Sequence, residues 1–431
     1  MTARRWVSKS PAPSPSKAAT ACNLLRAPPK RDRSGCAARC FPMRSILIIG
    51  AGLFGLTAAL ELRRRQWRVH MLETGTVPRP TAASTDVSKV VRADYGGDEL
   101  YTALGEASIT GWHAWNRQWP QPLYHEDGFL VLRRDTMAAG GFEHDSFDLL
   151  TRRGFPLRRL DTAAVKETFP AWAAEKYPAG YFNPRAGWAE SGKVIARLAS
   201  EAQSAGVELQ TDTGFARLLE DGSRIVGAMT PDGTPLRADC VLVAAGAWTP
   251  TLLPPLRDAM WATAQPVLHF KVNDAAQWQA PRFPVWAADI SRTGWYGFPA
   301  LADGTLKIAN HGPGKRVAPD APRVIWPGVE TQFREFMSGT FPSIADAPLI
   351  SSHTCHYCDT FDGHFWIDHD PQRPGLAVAA GDSGHAFKFA PMLGGLIADV
   401  VERKPNPFAS RFAWRQLAAS AAAAKDGARA I

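Results

Sequence analysis

Gly50, Gly52 and Gly55 are spaced to turn a chain tightly, to let a phosphate approach the backbone and to let a helix pack on a strand. Leu53 and Phe54 fill the step between the second and third glycine, where a helix would begin. Glu73 follows Gly55 by 18 residues, the place where a carboxylate can hydrogen-bond the ribose hydroxyls of an adenosine. A Gly-rich turn in an unrelated α/β protein would look the same over the three glycines alone, but the acid adds weight to dinucleotide binding. Two later segments, Gly246-Ala-Trp248 and Gly381-Asp-Ser-Gly384, also follow runs of small apolar residues. Three strand-to-glycine turns spread over the chain imply an extended cofactor touched by distant segments. FAD meets that description better than a nicotinamide nucleotide held by one contiguous domain.

Three further segments gather polar residues in strand-like or helix-starting contexts. Alternation through 306–311 places Lys307, Ala309 and His311 on one face, either lining a cavity or simply exposed on a surface strand. The same alternation groups His353, Cys355 and Tyr357. Lys388 lies one turn beyond Gly384 at an expected helix start. Cys355 and Cys358, followed by His364 and His369, have the spacing of half a zinc site, yet the body of the chain offers no second cysteine pair. A redox dithiol is disfavoured too, because the pair does not open a helix after a βα turn. No metal is expected.

The elements that must position these residues are legible in outline. Residues 44–49 read as a buried strand, 53–62 as a helix and 68–72 as a second strand, a βαβ unit. Helices are expected at 97–117, 191–205 and up to about 401, and strands at 129–132, 239–245, 364–368 and 376–380. A two-stranded pattern across 224–236 turns at Asp232-Gly233, and 263–310 reads as short strands of an antiparallel sheet. The fold class is therefore α/β: a Rossmann-like FAD-binding domain (43–125, 188–253, 350–405) interleaved with an α+β substrate domain on a mostly antiparallel sheet (126–187, 254–349). Residues 1–42 form a disordered basic extension and 406–431 a tail.

Composition sets the outer limits. The 431 residues suffice for two domains, and the chain carries 49 basic and 41 acidic residues. Nine of the basic residues and one acid fall in the first 42, leaving 40 of each, so the body is formally neutral and offers no basic face for nucleic acid. The basic leader is expected to be dispensable, with Met43 directly before the first strand; organelle targeting is the less favoured reading. Three of the six cysteines lie in that leader, too few remaining for a secreted disulfide framework, which points to the cytoplasm. The apolar run at 45–62 is interrupted by Gly50, Gly52, Gly55 and Glu61, so no membrane anchor is expected.

Taken together, the sequence resembles the FAD-dependent amino-acid oxidases of the D-amino-acid-oxidase superfamily, in the branch of monomeric sarcosine, pipecolate and fructosyl-amino-acid oxidases. The resemblance spans about 43–403. It rests on the Gly50 to Gly55 motif with Glu73, Ser88-Lys-Val-Val-Arg92 followed by Tyr95-Gly96, Gly246-Ala-Trp248, and Trp295-Tyr296-Gly-Phe-Pro299 with Lys307 and His311. Cys355-His-Tyr357 and Gly381-Asp-Ser-Gly-His-Ala-Phe-Lys388 complete it. The resemblance implies FAD bonded covalently through Cys355, Lys307 beside the flavin activating dioxygen, Arg92 and Lys388 clamping a substrate carboxylate, and Tyr296, His311 and Tyr357 lining the pocket. Lys89 stands near the flavin where sarcosine oxidase carries an arginine after paired histidines, so within 84–89 only Lys89 is expected to supply charge. Trp295 and Trp366 are candidates for favouring a bulky substrate.

The activity so implied is oxidation of the C–N bond of a secondary amine or amino acid, by hydride transfer to flavin N5, with reoxidation by O2 giving H2O2 in a monomeric enzyme. A dehydrogenase using another electron acceptor and a biosynthetic amine or imine oxidase acting on a larger metabolite remain as alternatives. A flavin-binding protein without catalysis is argued against by the joint presence of Lys307, Arg92 and Lys388.

Overall fold

The computed structural model describes residues 43–416, so the expectations for the leader and for the end of the tail lie outside the described residues. The first strand, Ser45–Ile49, is buried throughout and sits inside a six-stranded sheet ordered Trp366–His369, Leu376–Ala380, Cys240–Val243, Ser45–Ile49, Arg68–Leu72, Glu208–Gln210. All its pairings are parallel except that of the edge strand Trp366–His369. Continuous apolar runs without alternation are what a parallel sheet covered on both faces requires. The helix Leu53–Arg64 packs on this sheet through Leu53, Phe54, Leu56, Ala58, Ala59 and Leu62. Gly50 turns the chain between strand and helix at φ +105°, and a Cβ on Gly55 would fall 2.0 Å from the Gly50 carbonyl oxygen. Close contact of helix and strand, read from the glycine spacing, is thus built into the backbone.

A nine-stranded sheet forms the second layer. Its path runs Lys315–Val317, Met260–Lys271, Thr305–Asn310, Trp295–Gly297, Val285–Ala288, Phe129–Arg133, Ala179–Asn183, Arg158–Leu160, and Leu349–Thr360 adds to the other edge of Met260–Lys271. All pairs are antiparallel apart from Val285–Ala288 with Phe129–Arg133. Two of its strands, Met260–Lys271 and Leu349–Thr360, have 12 residues each and pair along most of that length. This corrects the expectation of short strands only: Pro266 inside the first does not end it, because the partner strand runs past it on both sides. Leu349–Thr360 also crosses the expected division at residue 350.

Other elements match the expected positions with small shifts at their ends. The second helix is Glu99–Gln118, started by Asp98, whose Oδ1 accepts from the Leu100 and Tyr101 amides at 3.0 Å. The helix expected at 191–205 is Ser191–Ser204, followed by Gly206 at φ +83°. The hairpin around Asp232-Gly233 gains a third strand, Arg217–Asp221. Strand 364–368 is displaced to Trp366–His369. Among the described residues no helix is long and apolar enough to cross a membrane.

Candidate active site

A cavity of ≈ 370 Å³ opens at the C-terminal ends of the parallel strands, where the chain leaves Ile49, Leu72 and Val243. Gly50, Gly52, Leu53, Phe54, Glu73, Lys89, Gly246, Trp248, Tyr357 and Gly384 all line it. At Gly52 an added Cβ would meet nothing nearer than 3.8 Å, so the missing side chain leaves room at the helix N-terminus where a pyrophosphate would lie. The Glu73 carboxylate is fixed beside it, Oε2 accepting from the Ala51 amide at 2.9 Å and Oε1 from the Thr74 hydroxyl at 3.2 Å. These residues fit FAD in type and placement: glycine backbone and helix dipole for phosphate, a carboxylate for ribose, and a long apolar-walled space continuing to Tyr357 and Gly384.

A second cavity of ≈ 80 Å³ adjoins the first, sharing Lys89, Tyr357, Gly384 and Phe387 with it. Arg92, Tyr296, His311 and Lys388 line this smaller space, among Phe129, Phe142, Ile290 and Phe298, and no carboxylate does. Arg92 lies over the rings of Tyr95 (4.8 Å) and Phe142 (5.6 Å), and its buried Nη1 has no hydrogen-bond partner. Lys388 Nζ donates to the Tyr95 hydroxyl at 3.0 Å and the His385 carbonyl at 2.8 Å. Burial, reinforced by the Arg92 charge, holds the Lys388 pKa well below the usual lysine value. Two cations forced together in an apolar space create a strong preference for an anion between them.

Lys307 and Cys355 line neither cavity. The strand Thr305–Asn310 ends before His311, which reaches the smaller cavity alone, while Lys307 is turned behind the wall. Its Nζ donates to Asp86 Oδ2 at 2.5 Å and to the Ser88 carbonyl at 2.7 Å. Desolvation lowers its pKa to about 8 against the opposing pull of Asp86. The expectation that Lys89 is the sole charge within 84–89 is therefore corrected: the Asp86 side chain is only 3% exposed, and Lys89 Nζ lies 3.7 Å from its Oδ2. Burial works against the Lys89 charge, but Cys355 and Asp86 raise its pKa above the usual value. Lys89 Nζ is also 3.9 Å from Cys355 Sγ. Burial pushes the Cys355 thiol up, and Lys89 pulls it back toward the thiolate.

Gly55 and Gly381 serve packing rather than lining, the latter against Thr360 and Trp366. Gly384 is tight against Tyr357 and His311 at φ +74°. Lys388 sits in the single turn Phe387–Phe389 and the α-helix Ala390–Val401 begins after it, so the helix N-terminus expected near Gly384 lies six residues further on. Neither tryptophan offered for a bulky substrate reaches a cavity: Trp295 stacks on Phe336 with centroids 4.2 Å apart, and Trp366 packs edge-on to Trp414. Cys355 and Cys358 face opposite ways, Cys358 toward Met260, and no group of three metal-ligating side chains occurs among the described residues.

Sequence reasoning missed several site residues. Asp382 accepts from the Cys358 and Gly384 amides and fixes the turn, and its position between two site glycines was a usable signal. His385 joins Tyr95 at 3.0 Å. Phe129, Phe142, Ile290 and Phe298 carried no signal, since apolar residues on strands and at helix starts read as core.

The sequence profile of the family described as "DAO: FAD dependent oxidoreductase" matches residues 45–400. The chain belongs to this family of FAD-dependent oxidoreductases. It is 27% identical to the L-saccharopine oxidase of Schizosaccharomyces pombe over 423 residues, covering 86% of this chain and 93% of that protein. It is 25% identical to the monomeric sarcosine oxidase of Bacillus sp. strain NS-129, covering 82% and 92%. Among solved structures, fructosamine oxidase (Amadoriase II) of Aspergillus fumigatus in complex with FSA superposes with a TM-score of 0.76 at 26% identity, over 86% of this chain and 90% of that one. The fold class inferred from the sequence, a dinucleotide-binding part interleaved with a largely antiparallel one, stands with these matches.

Proposed function

We propose that this FAD-dependent oxidoreductase oxidises the secondary amine of a small α-amino acid that carries one carboxylate and a compact apolar side chain. One observation carries the reading: Arg92 and Lys388 meet in an apolar cavity that no acid lines and that opens onto the flavin-sized space. Between them they would hold the carboxylate and aim the neighbouring C–H bond across the junction at Tyr357 and Gly384. A cavity of ≈ 80 Å³ with aromatic walls favours an N-methyl or cyclic amino acid over a sugar-bearing one, whose hydroxyls would lose their hydrogen bonds there. Sarcosine oxidase, N-methyl-L-tryptophan oxidase and saccharopine oxidase are among its relatives, which supports a C–NH donor.

FAD, when bound, supplies the hydride acceptor. Cys355 on Leu349–Thr360 is the proposed covalent anchor, and Lys307 with Lys89 the cations that serve reoxidation by O2, with H2O2 as product. The FAD-holding part is proposed as 43–125, 188–253 and 350–405 and the substrate-holding part as 126–187 and 254–349. The enzyme is proposed to act as a monomer in the cytoplasm.

Anaerobic titration with sarcosine, L-proline, L-pipecolate, N-methyl-L-tryptophan, saccharopine and a fructosyl amino acid tests the substrate class. Bleaching by one of the first three with little by the last three is expected; preference for N-methyl-L-tryptophan, saccharopine or the sugar adduct overturns it. Peroxide yield in air, compared with turnover on an artificial acceptor without oxygen, separates an oxidase from a dehydrogenase.

A further inference from the structure

Lys307, His269 and Ser351 stand side by side on three adjacent strands. His269 is the register partner of Lys307 on one side and of Ser351 on the other, so the three side chains share one face of the sheet. Ser351 is exposed, whereas Lys307 and His269 are buried. His269 Nδ1 lies 2.9 Å from the Ser351 hydroxyl oxygen. Its Nε2 is buried without a hydrogen-bond partner and faces Asp86 Oδ1 at 3.7 Å. The other oxygen of that carboxylate accepts from Lys307 Nζ at 2.5 Å. A series of proton-carrying groups, interrupted by the 3.7 Å step from His269 to Asp86, therefore leads from solvent to the ammonium behind the cavity wall.

We propose that Ser351, His269 and Asp86 form the proton supply of Lys307, with Asp86 as the residue that positions the ammonium and His269 as its link to the surface. The inference rests on Lys307 serving the reaction with oxygen. That reaction needs such a supply: O2 takes up one hydride, with its two electrons, and one proton to become H2O2. A proton given up by Lys307 Nζ would be replaced through Asp86 from His269, and His269 would regain its own through Ser351. Nε2 and Oδ1 need approach by only about half an ångström to reach hydrogen-bond distance.

The titratable groups facing Lys307 come from three segments. Asp86 and Lys89 lie on the segment that leads into Lys89–Val91, His269 on Met260–Lys271, and His353 and Cys355 on Leu349–Thr360. His353 stacks on His269 with centroids 5.7 Å apart, and desolvation lowers its pKa to about 4, so it stays neutral where the enzyme would work. Asp86 is the acid among these groups; burial opposes its charge, but Lys307 holds its pKa well below the usual carboxylate range. The pair stays ionised until Lys307 itself titrates.

The test uses the FAD-loaded protein in two measurements. The first follows Lys307 directly by NMR of ¹³Cε-lysine, with Lys307→Met assigning its resonance. Its midpoint is expected to fall by about one pH unit or more in Asp86→Asn, with Asp86→Glu in between; an unchanged midpoint overturns the proposal. The second is oxidation of the reduced protein by O2 in His269→Ala, which keeps Asp86. A slowing on the order of 10²-fold, reversed by added imidazole, is expected; a wild-type rate, or slowing that imidazole leaves untouched, overturns the link. If Lys307→Met itself reoxidises normally, the role of Lys307 fails, and the NMR shift shows whether its pairing with Asp86 stands apart from that role.

Discussion

Lys89 Nζ and Cys355 Sγ lie 3.9 Å apart, on segments 266 residues distant in sequence, beside the space that FAD would occupy. Burial by itself keeps the thiol protonated, and Lys89 supplies the nearby positive charge that favours the thiolate. If Cys355 is the covalent anchor, Cys355→Ala should leave the protein yellow but release all flavin on acid precipitation. Lys89→Met should retain Cys355 yet attach flavin more slowly, seen as acid-stable flavin accumulating over hours when apoprotein is mixed with FAD. Equal attachment rates with and without Lys89 would show that the sulfur needs no cation.

Arg92→Met and Lys388→Met should each raise KM for the single-carboxylate substrate by roughly 10- to 100-fold, the loss of one charge-assisted hydrogen bond of about 1.5–3 kcal/mol. Steady-state kinetics check this, and the amide of the same substrate should be nearly indifferent to either change. Arg92→Lys should recover only part, because an ammonium cannot reproduce the guanidinium fork.

Binding of an unreactive carboxylate should be accompanied by proton uptake. Lys388 has its pKa held down by burial and by Arg92, and an anion placed against it raises that value. Between the free and bound values the complex holds more protons than the free protein, so affinity falls as pH rises through that window. Calorimetry in buffers of different ionisation enthalpy measures the uptake; proton release on binding would contradict the assignment.

Gly55→Ala should cost about 3 kcal/mol or more and abolish FAD binding, since its Cβ would fall 2.0 Å from the Gly50 carbonyl oxygen and no flexible side chain is there to yield. Gly246→Ala brings its Cβ against no protein atom and strains a φ of +51°, so it should cost less stability. Thermal unfolding and flavin content of the two variants provide the comparison.

Local physics made the cofactor half legible before any coordinates. The glycine spacing, the unbroken apolar strands and Glu73 all fall within one βαβ unit, and the structure places them as read. The apolar walls of the substrate cavity were not legible, because Phe129, Phe142 and Phe298 look like any core residue until separate elements bring them to one space. Trp295 and Trp366 failed as candidates for the opposite reason: their size draws attention, but stacking partners on distant elements claimed them for the core.

By itself the sequence determined the βαβ unit, the family resemblance and the identity of the charged residues, all of which depend on residue type and short-range spacing. Only the tertiary structure decided that Lys307 lies behind the cavity wall rather than on it. Strand alternation gives a face but says nothing of what covers that face. Here the covering group is Asp86, 221 residues earlier in the chain, whose carboxylate offers the buried ammonium a stronger partner than an apolar cavity does.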